Sequence, residues 1–190
     1  MTEPRSYYGR PILKAPVWTP EVPVYFWVGG IAGASTGLAL GAERAGNPRL
    51  ARNAWRAAMA GIALSPPLLI SDLGRPERFL NMLRMFKVTS PMSLGSWSLN
   101  ATGLTTTVAF ANSELGLFPR LAAVAKPAAG GLGLTLATYT GALIANTAIP
   151  VWHEARRELP FLFASGAAAS AGAVATISTP VRHAGPARRL

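Results

Sequence analysis

The sequence predicts an all-α, polytopic transmembrane bundle of about five helices, and three observations carry that prediction. Half of the 190 residues are hydrophobic, only 14% are charged, and mean hydropathy is +0.29. Five apolar runs, at 22–42, 54–71, 94–113, 128–149 and 160–180, approach the ~20 residues that a helix needs to cross a bilayer. None carries Asp, Glu, Lys or Arg in its central turns, where each would cost about 2.5–3.5 kcal/mol on insertion scales. The runs are continuous rather than alternating, which argues against membrane β-strands.

Taken in order, residues 1–21 form an extended, amphipathic arm. Pro4, Pro11, Pro16 and Pro20 oppose a helix there, and Tyr7, Tyr8 and Trp18 suit a headgroup layer or a partner's surface. No apolar core of signal-peptide length precedes the first run, so the first helix is expected to direct its own insertion. In that helix Gly29, Gly33, Gly37 and Gly41 fall four apart, a smooth ridge that lets another backbone approach closely. The second run is the weakest, with Arg56 just inside its start and Pro66-Pro67 interrupting it. Two prolines remove two donors and free the carbonyls of Ile62 and Ala63, which predicts a kink. A plain kink and a lined cavity satisfying those carbonyls are both open readings. Gly133, Ala137, Gly141 and Ala145 repeat the ridge in the fourth helix, as do Ala167, Ala171 and Ala175 in the fifth. Residues 181–190 read as a basic tail or a truncation point.

Composition excludes several functions. The net charge of +10 is spread through short connectors rather than gathered on one face, which does not make a nucleic-acid footprint. Without Cys the chain holds no iron–sulfur cluster of its own. Its two histidines, His153 and His183, both fall in connectors, so no pair of imidazoles is set inside the helices for haem, and no metal site is expected. Five crossings put the termini on opposite faces and divide the 18 basic residues nine and nine. The positive-inside rule then gives no overall orientation, although the charges flanking the first helix lean toward an amino terminus outside the cytoplasm.

Acidic residues divide unevenly. Six of the eight lie on the amino-terminal face. Glu21 begins the first helix, Asp72 ends the second within "LISDLGRPERFLNML" (69–83), and "WHEARRE" (152–158) brings Trp152 and His153 to the end of the fourth. Carboxylates at a low-dielectric rim have raised pKa values unless paired, which suits proton exchange near neutral pH. Arg75 and Arg78 could pair with them or donate to a carbonyl ligand. A quinone needs donors for its carbonyl oxygens, an apolar slot for its tail and a group that moves protons. A capping network at a tight Gly-Pro turn accounts for the same residues equally well.

Three motifs tip this balance: "DLGRPERFLNMLRMFKVTSPMSLGSW" (72–97), "FWVGGIAGAS" (26–35) and "TYTGALIANTAIPVWHE" (138–154). On them the chain resembles the NrfD / polysulfide-reductase membrane-subunit family, in its amino-terminal portion. The resemblance implies a multi-pass subunit of the plasma (inner) membrane, not catalytic alone. Such a subunit exchanges electrons between menaquinone or ubiquinone and a docked ferredoxin-like iron–sulfur subunit, which serves a molybdopterin-type catalytic subunit. It implies Asp72 as the proton-exchanging carboxylate, Arg75 and Arg78 as groups that position it, and Tyr139 as a hydrogen-bonding partner of the quinone. Glu21, Tyr25, Trp152 and His153 complete the implied binding set. Many relatives place His immediately before the Asp, where this chain has Ser71. Family members usually have eight or more helices, so five suggest either a fragment or a shortened gene product, and the unpaired fifth helix argues for a fragment. Two other classes are a transporter with its site at the broken second helix, where no ionisable residue sits, and a purely structural anchor.

Overall fold

The computed structural model describes residues 20–73, 75–147 and 149–190, apart from the Arg78 side chain. The expected arm thus lies outside the described residues except at its end. Among the described residues there is no strand. Five long helices follow one another: α1 (Glu21–Arg44), α2 (Pro48–Ser71), α3 (Pro91–Leu115), α4 (Pro119–Ala145) and, after the five-residue α5 (Pro150–Glu154), α6 (Leu159–Ser178). Short 3-10 segments lie at Pro76–Leu83, Ala155–Arg157, Val181–His183 and Ala187–Arg189.

Proline at the first or second position starts every helix from α2 onward, where its missing N–H costs nothing and its fixed φ is already helical. Asn47 caps α2 through Leu50 N, and Ser90 caps α3 through Ser93 N. Gly116 ends α3 with φ +69°, the left-handed conformation that glycine adopts without strain.

Among the described residues three helices, α1, α4 and α6, are long and apolar enough to cross a membrane, against the expected five or so. α2 and α3 match them in length, with 24 and 25 residues. Their hydropathy is lowered by Arg49, Arg52, Asn53 and Arg56 in the first turns of α2, and by serines, threonines and asparagines along α3. These polar groups are accommodated locally: Thr105 and Thr107 donate to carbonyls one turn back, and Arg56 binds Glu114 across the α2–α3 seam at 2.8 and 2.9 Å.

α1 packs against α2, α4 and α6, while α3 closes against α2 and α4. The antiparallel α1–α4 crossing is a glycine contact. A Cβ on Gly33 or on Gly133 would run into the other helix's backbone. Thr36 Oγ1 stitches the same point, donating to Gly33 O at 2.7 Å and to Ala129 O at 2.9 Å. Gly61 meets Ala32 where α1 crosses α2, and Gly141 meets Leu159 where α4 crosses α6. Gly37 and Gly41 face open space, so the ridge on α1 does its packing in its first half.

Three core clusters result among the described residues, the third joining Ala42, Leu50, Ala51, Ala175 and Ala187, and the other two lie as successive layers toward the start of α1. One gathers Ala39, Ala54, Trp55, Ala58, Ala109 and Ala129; the other gathers Tyr25, Ala32, Ile62, Leu99 and Leu136. Below the first layer, Glu43 accepts from Trp55 Nε1 and from Lys126 Nζ, at 2.9 and 2.8 Å. The carboxyl-terminal residues fold back onto this end: Asn47 Nδ2 donates to His183 O at 2.8 Å, and Ala184 and Ala187 are buried. α2 runs unbroken through Pro66 and Pro67.

Candidate functional site

The second core layer opens, toward the end holding the start of α1, into a crevice of about 120 Å³. Each wall has a local cause. α1 contributes Val22, Tyr25 and Phe26 in its opening turns, and α2 contributes Leu69 and, at its C-cap, Asp72. The chain then turns at Arg75 and winds into the Pro76–Leu83 segment, which brings Phe79 and Met82 against the opening. The start of α3 adds Met92, Ser96, Leu99 and Asn100; the end of α4 adds Tyr139 and Leu143. Such a space is of the order of the ~150 Å³ apolar cavity known to admit a single aromatic ring.

Polar groups are few and converge. The hydroxyls of Tyr25 and Tyr139 are hydrogen-bonded to each other across α1 and α4. Tyr25 is 1% exposed. Its ring lies under Gly29, and that of Tyr139 lies where a Cβ on Gly95 would collide with it, so both phenols are held by neighbours that leave them room. Asp72 is half-buried on the same crevice. Asn100 Nδ2 donates to Ser96 O at 2.9 Å, and Ser96 Oγ donates to Met92 O at 2.8 Å. The arrangement presents phenolic donors, an amide and a carboxylate around an apolar slot. Chemically it can hold a flat ligand bearing carbonyl oxygens and exchange a proton with it.

Of the residues singled out in the sequence, Tyr25, Asp72 and Tyr139 line this crevice. Glu21 stands half-buried one turn before Tyr25, outside the lining. Arg75 is exposed at the N-cap of the 3-10 segment, and the Arg78 side chain lies outside the described residues. On α5, Trp152 is half-buried and His153 exposed, and neither reaches the crevice lining. Ser96 and Asn100 were not anticipated. Their spacing of four on a predicted helix was the available signal, since it sets two polar groups on one face. Among the described residues no cluster of three His, Asp or Glu could hold a metal ion.

Among the described residues, an all-helical bundle with membrane-length apolar helices has the make-up of an integral membrane protein, and a half-closed crevice lies near one end of it. The family model described as "Polysulphide reductase, NrfD" matches residues 13–185, and the chain belongs to that family. No curated protein matches it. The family is one of membrane subunits of quinone-interacting oxidoreductase complexes.

Proposed function

We propose that this chain is the quinone-interacting membrane subunit of a multi-subunit oxidoreductase, with all five long helices crossing the plasma (inner) membrane. Its ligand is menaquinone or ubiquinone, held by its ring in the crevice. Oxidation of a quinol there releases two electrons and two protons; reduction of a quinone consumes the same. Electrons pass to or from a ferredoxin-like iron–sulfur subunit docked on the adjacent face, and from it to a molybdopterin-type catalytic subunit. This chain provides position and protons, and the partner provides the metal centres.

Within that scheme the Tyr25–Tyr139 pair is a preformed donor. One phenol directs its O–H to a carbonyl oxygen while its own oxygen accepts the O–H of the other. Asp72, at the end of α2, takes or gives the proton and passes it toward water. Arg75 and Arg78 steady the turn that carries Asp72, and Glu21, Trp152 and His153 belong to the rim on which the partner sits. The convergence of Tyr25, Tyr139 and Asp72, from three separate helices, on one slot carries this reading.

Extraction of the purified complex tests it. Menaquinone or ubiquinone should co-purify in near-stoichiometric amount and be displaced by a quinone-site inhibitor. A complex that transfers electrons with no quinone present at any stage would end the proposal.

A further inference from the structure

A second hollow, of about 200 Å³, lies between α2 and α3 beside the crevice. The two share Phe79, Leu99 and Asn100, so they adjoin at one junction. Beyond it the hollow is bounded by Pro66 and Ile62 on α2 and by Gly103 and Leu104 on α3. Sequence explains the space. Pro66 has no N–H for the carbonyl of Ile62 one turn back, and its ring forms part of the wall of the hollow. On α3, Gly103 withholds a side chain at the point where a Cβ would stand 3.3 Å from Ile62 Cγ2. Leu104 is 72% exposed, so the hollow opens on the bundle's outer surface.

We propose that this hollow seats the isoprenoid tail of the quinone whose ring fills the crevice, so that the tail passes into the bilayer between Pro66 and Leu104. The inference rests on the quinone reading above. It follows from size and position: the crevice has room for a ring and none for a chain, and this hollow continues from it along α2 and α3 to an outward-facing leucine. Two other hollows touch the crevice. One shares Met82, Met92 and Ser96 with the crevice and runs past Met85 to Lys87 and Ser90, in the connector ahead of α3, so it opens at the rim of the bundle rather than along the length of the helices. The other, between α1 and α6, shares only Phe26. There the Phe26 ring, edge-on to Phe163 at 6.3 Å and tilted to Tyr25 at 6.0 Å, stands between the two spaces, and a chain taking that path would have to displace it.

The test compares two radiolabelled ligands on the purified full chain in lipid nanodiscs: menadione, which has no tail, and a menaquinone carrying several isoprene units. Leu104→Trp and Gly103→Leu should weaken binding of the tailed quinone by about tenfold, equivalent to roughly two excluded CH₂ groups, and leave menadione unchanged. Gly166→Phe, placed in the α1–α6 hollow where a new side chain meets nothing, should alter neither. Equal loss of both ligands, no loss in either α3 variant, or selective loss in Gly166→Phe alone would overturn the tail route while the ring site stands. A parent chain that binds neither ligand removes the ring site, and the tail route with it.

Discussion

The Tyr25–Tyr139 pair makes a prediction whose sign depends on which partner is removed. Tyr25 is 1% exposed, and its hydroxyl is paired with that of Tyr139. In Tyr139→Phe the Tyr25 hydroxyl is left in an apolar layer of Ala32, Ile62, Leu99 and Leu136. An orphaned buried hydroxyl costs about 1–3 kcal/mol. Both tyrosines line the crevice, but Tyr139 is half-buried where Tyr25 is almost fully buried, so in Tyr25→Phe water reaches the remaining hydroxyl more readily and the loss should fall toward the low end of that range. With both replaced, no polar group is stranded and two apolar rings of nearly the same shape remain, which can be close to neutral. The order of stability is therefore parent ≈ double variant > Tyr25→Phe > Tyr139→Phe. Thermal unfolding of the four proteins in one detergent reads the order directly, and the cycle yields the coupling between the hydroxyls. A double variant as unstable as Tyr139→Phe, or two neutral single variants, would refute the reasoning that the pair is a buried, mutually satisfied contact.

Three further outcomes follow from the packing. Gly33→Val should destabilise by at least the ~1–3 kcal/mol of an overpacked core, because its Cβ meets Gly133 backbone rather than a movable side chain; Gly37→Val, facing open space, is the control, and both are read by thermal unfolding. Thr102→Val should be neutral or stabilising in the same assay, since the Thr102 hydroxyl is buried without a hydrogen-bond partner among the described residues and an apolar group of equal shape removes that cost. Glu114, hydrogen-bonded by Arg56, is held below the usual carboxylate pKa. Its contribution is thus complete above its unfolded value of about 4.3 and lost as pH falls through the lowered folded value; Glu114→Gln should flatten that part of the thermal-stability profile.

How much of this the residues announced varies by element. Continuous apolar runs marked the five long helices, closely for α1, α3 and α6, but the starts of α2 and α4 fall six and nine residues earlier than the runs at 54–71 and 128–149, because Arg49, Arg52, Arg120 and Lys126 are helical without being apolar. Whether α2 and α3 span a membrane was less readable, since Arg56 is tolerated through Glu114 on the neighbouring helix and the threonines of α3 through carbonyls of their own helix. The small-residue spacing of α1 gave the ridge but not its use: only the fold tells Gly33, pressed on Gly133, from Gly41, which touches nothing. The charge pattern at helix ends assigned residues to a face without giving side-chain direction. Asp72 lines the crevice while Arg75, three residues later, is exposed. Phe79 and Met82 reach the crevice through a 3-10 fold-back, for which no periodicity in a short polar connector gives a signal.

The proton-exchanging carboxylate is where the account is most exposed. Quinone-linked redox titration of the purified complex, parent against Asp72→Asn, measures it directly. The account predicts that the variant assembles, still binds a quinone-site inhibitor, and transfers electrons at a rate lowered by about 10²–10⁴, the usual worth of a positioned acid–base group. Electron transfer at the parental rate, with the same pH dependence, would contradict it.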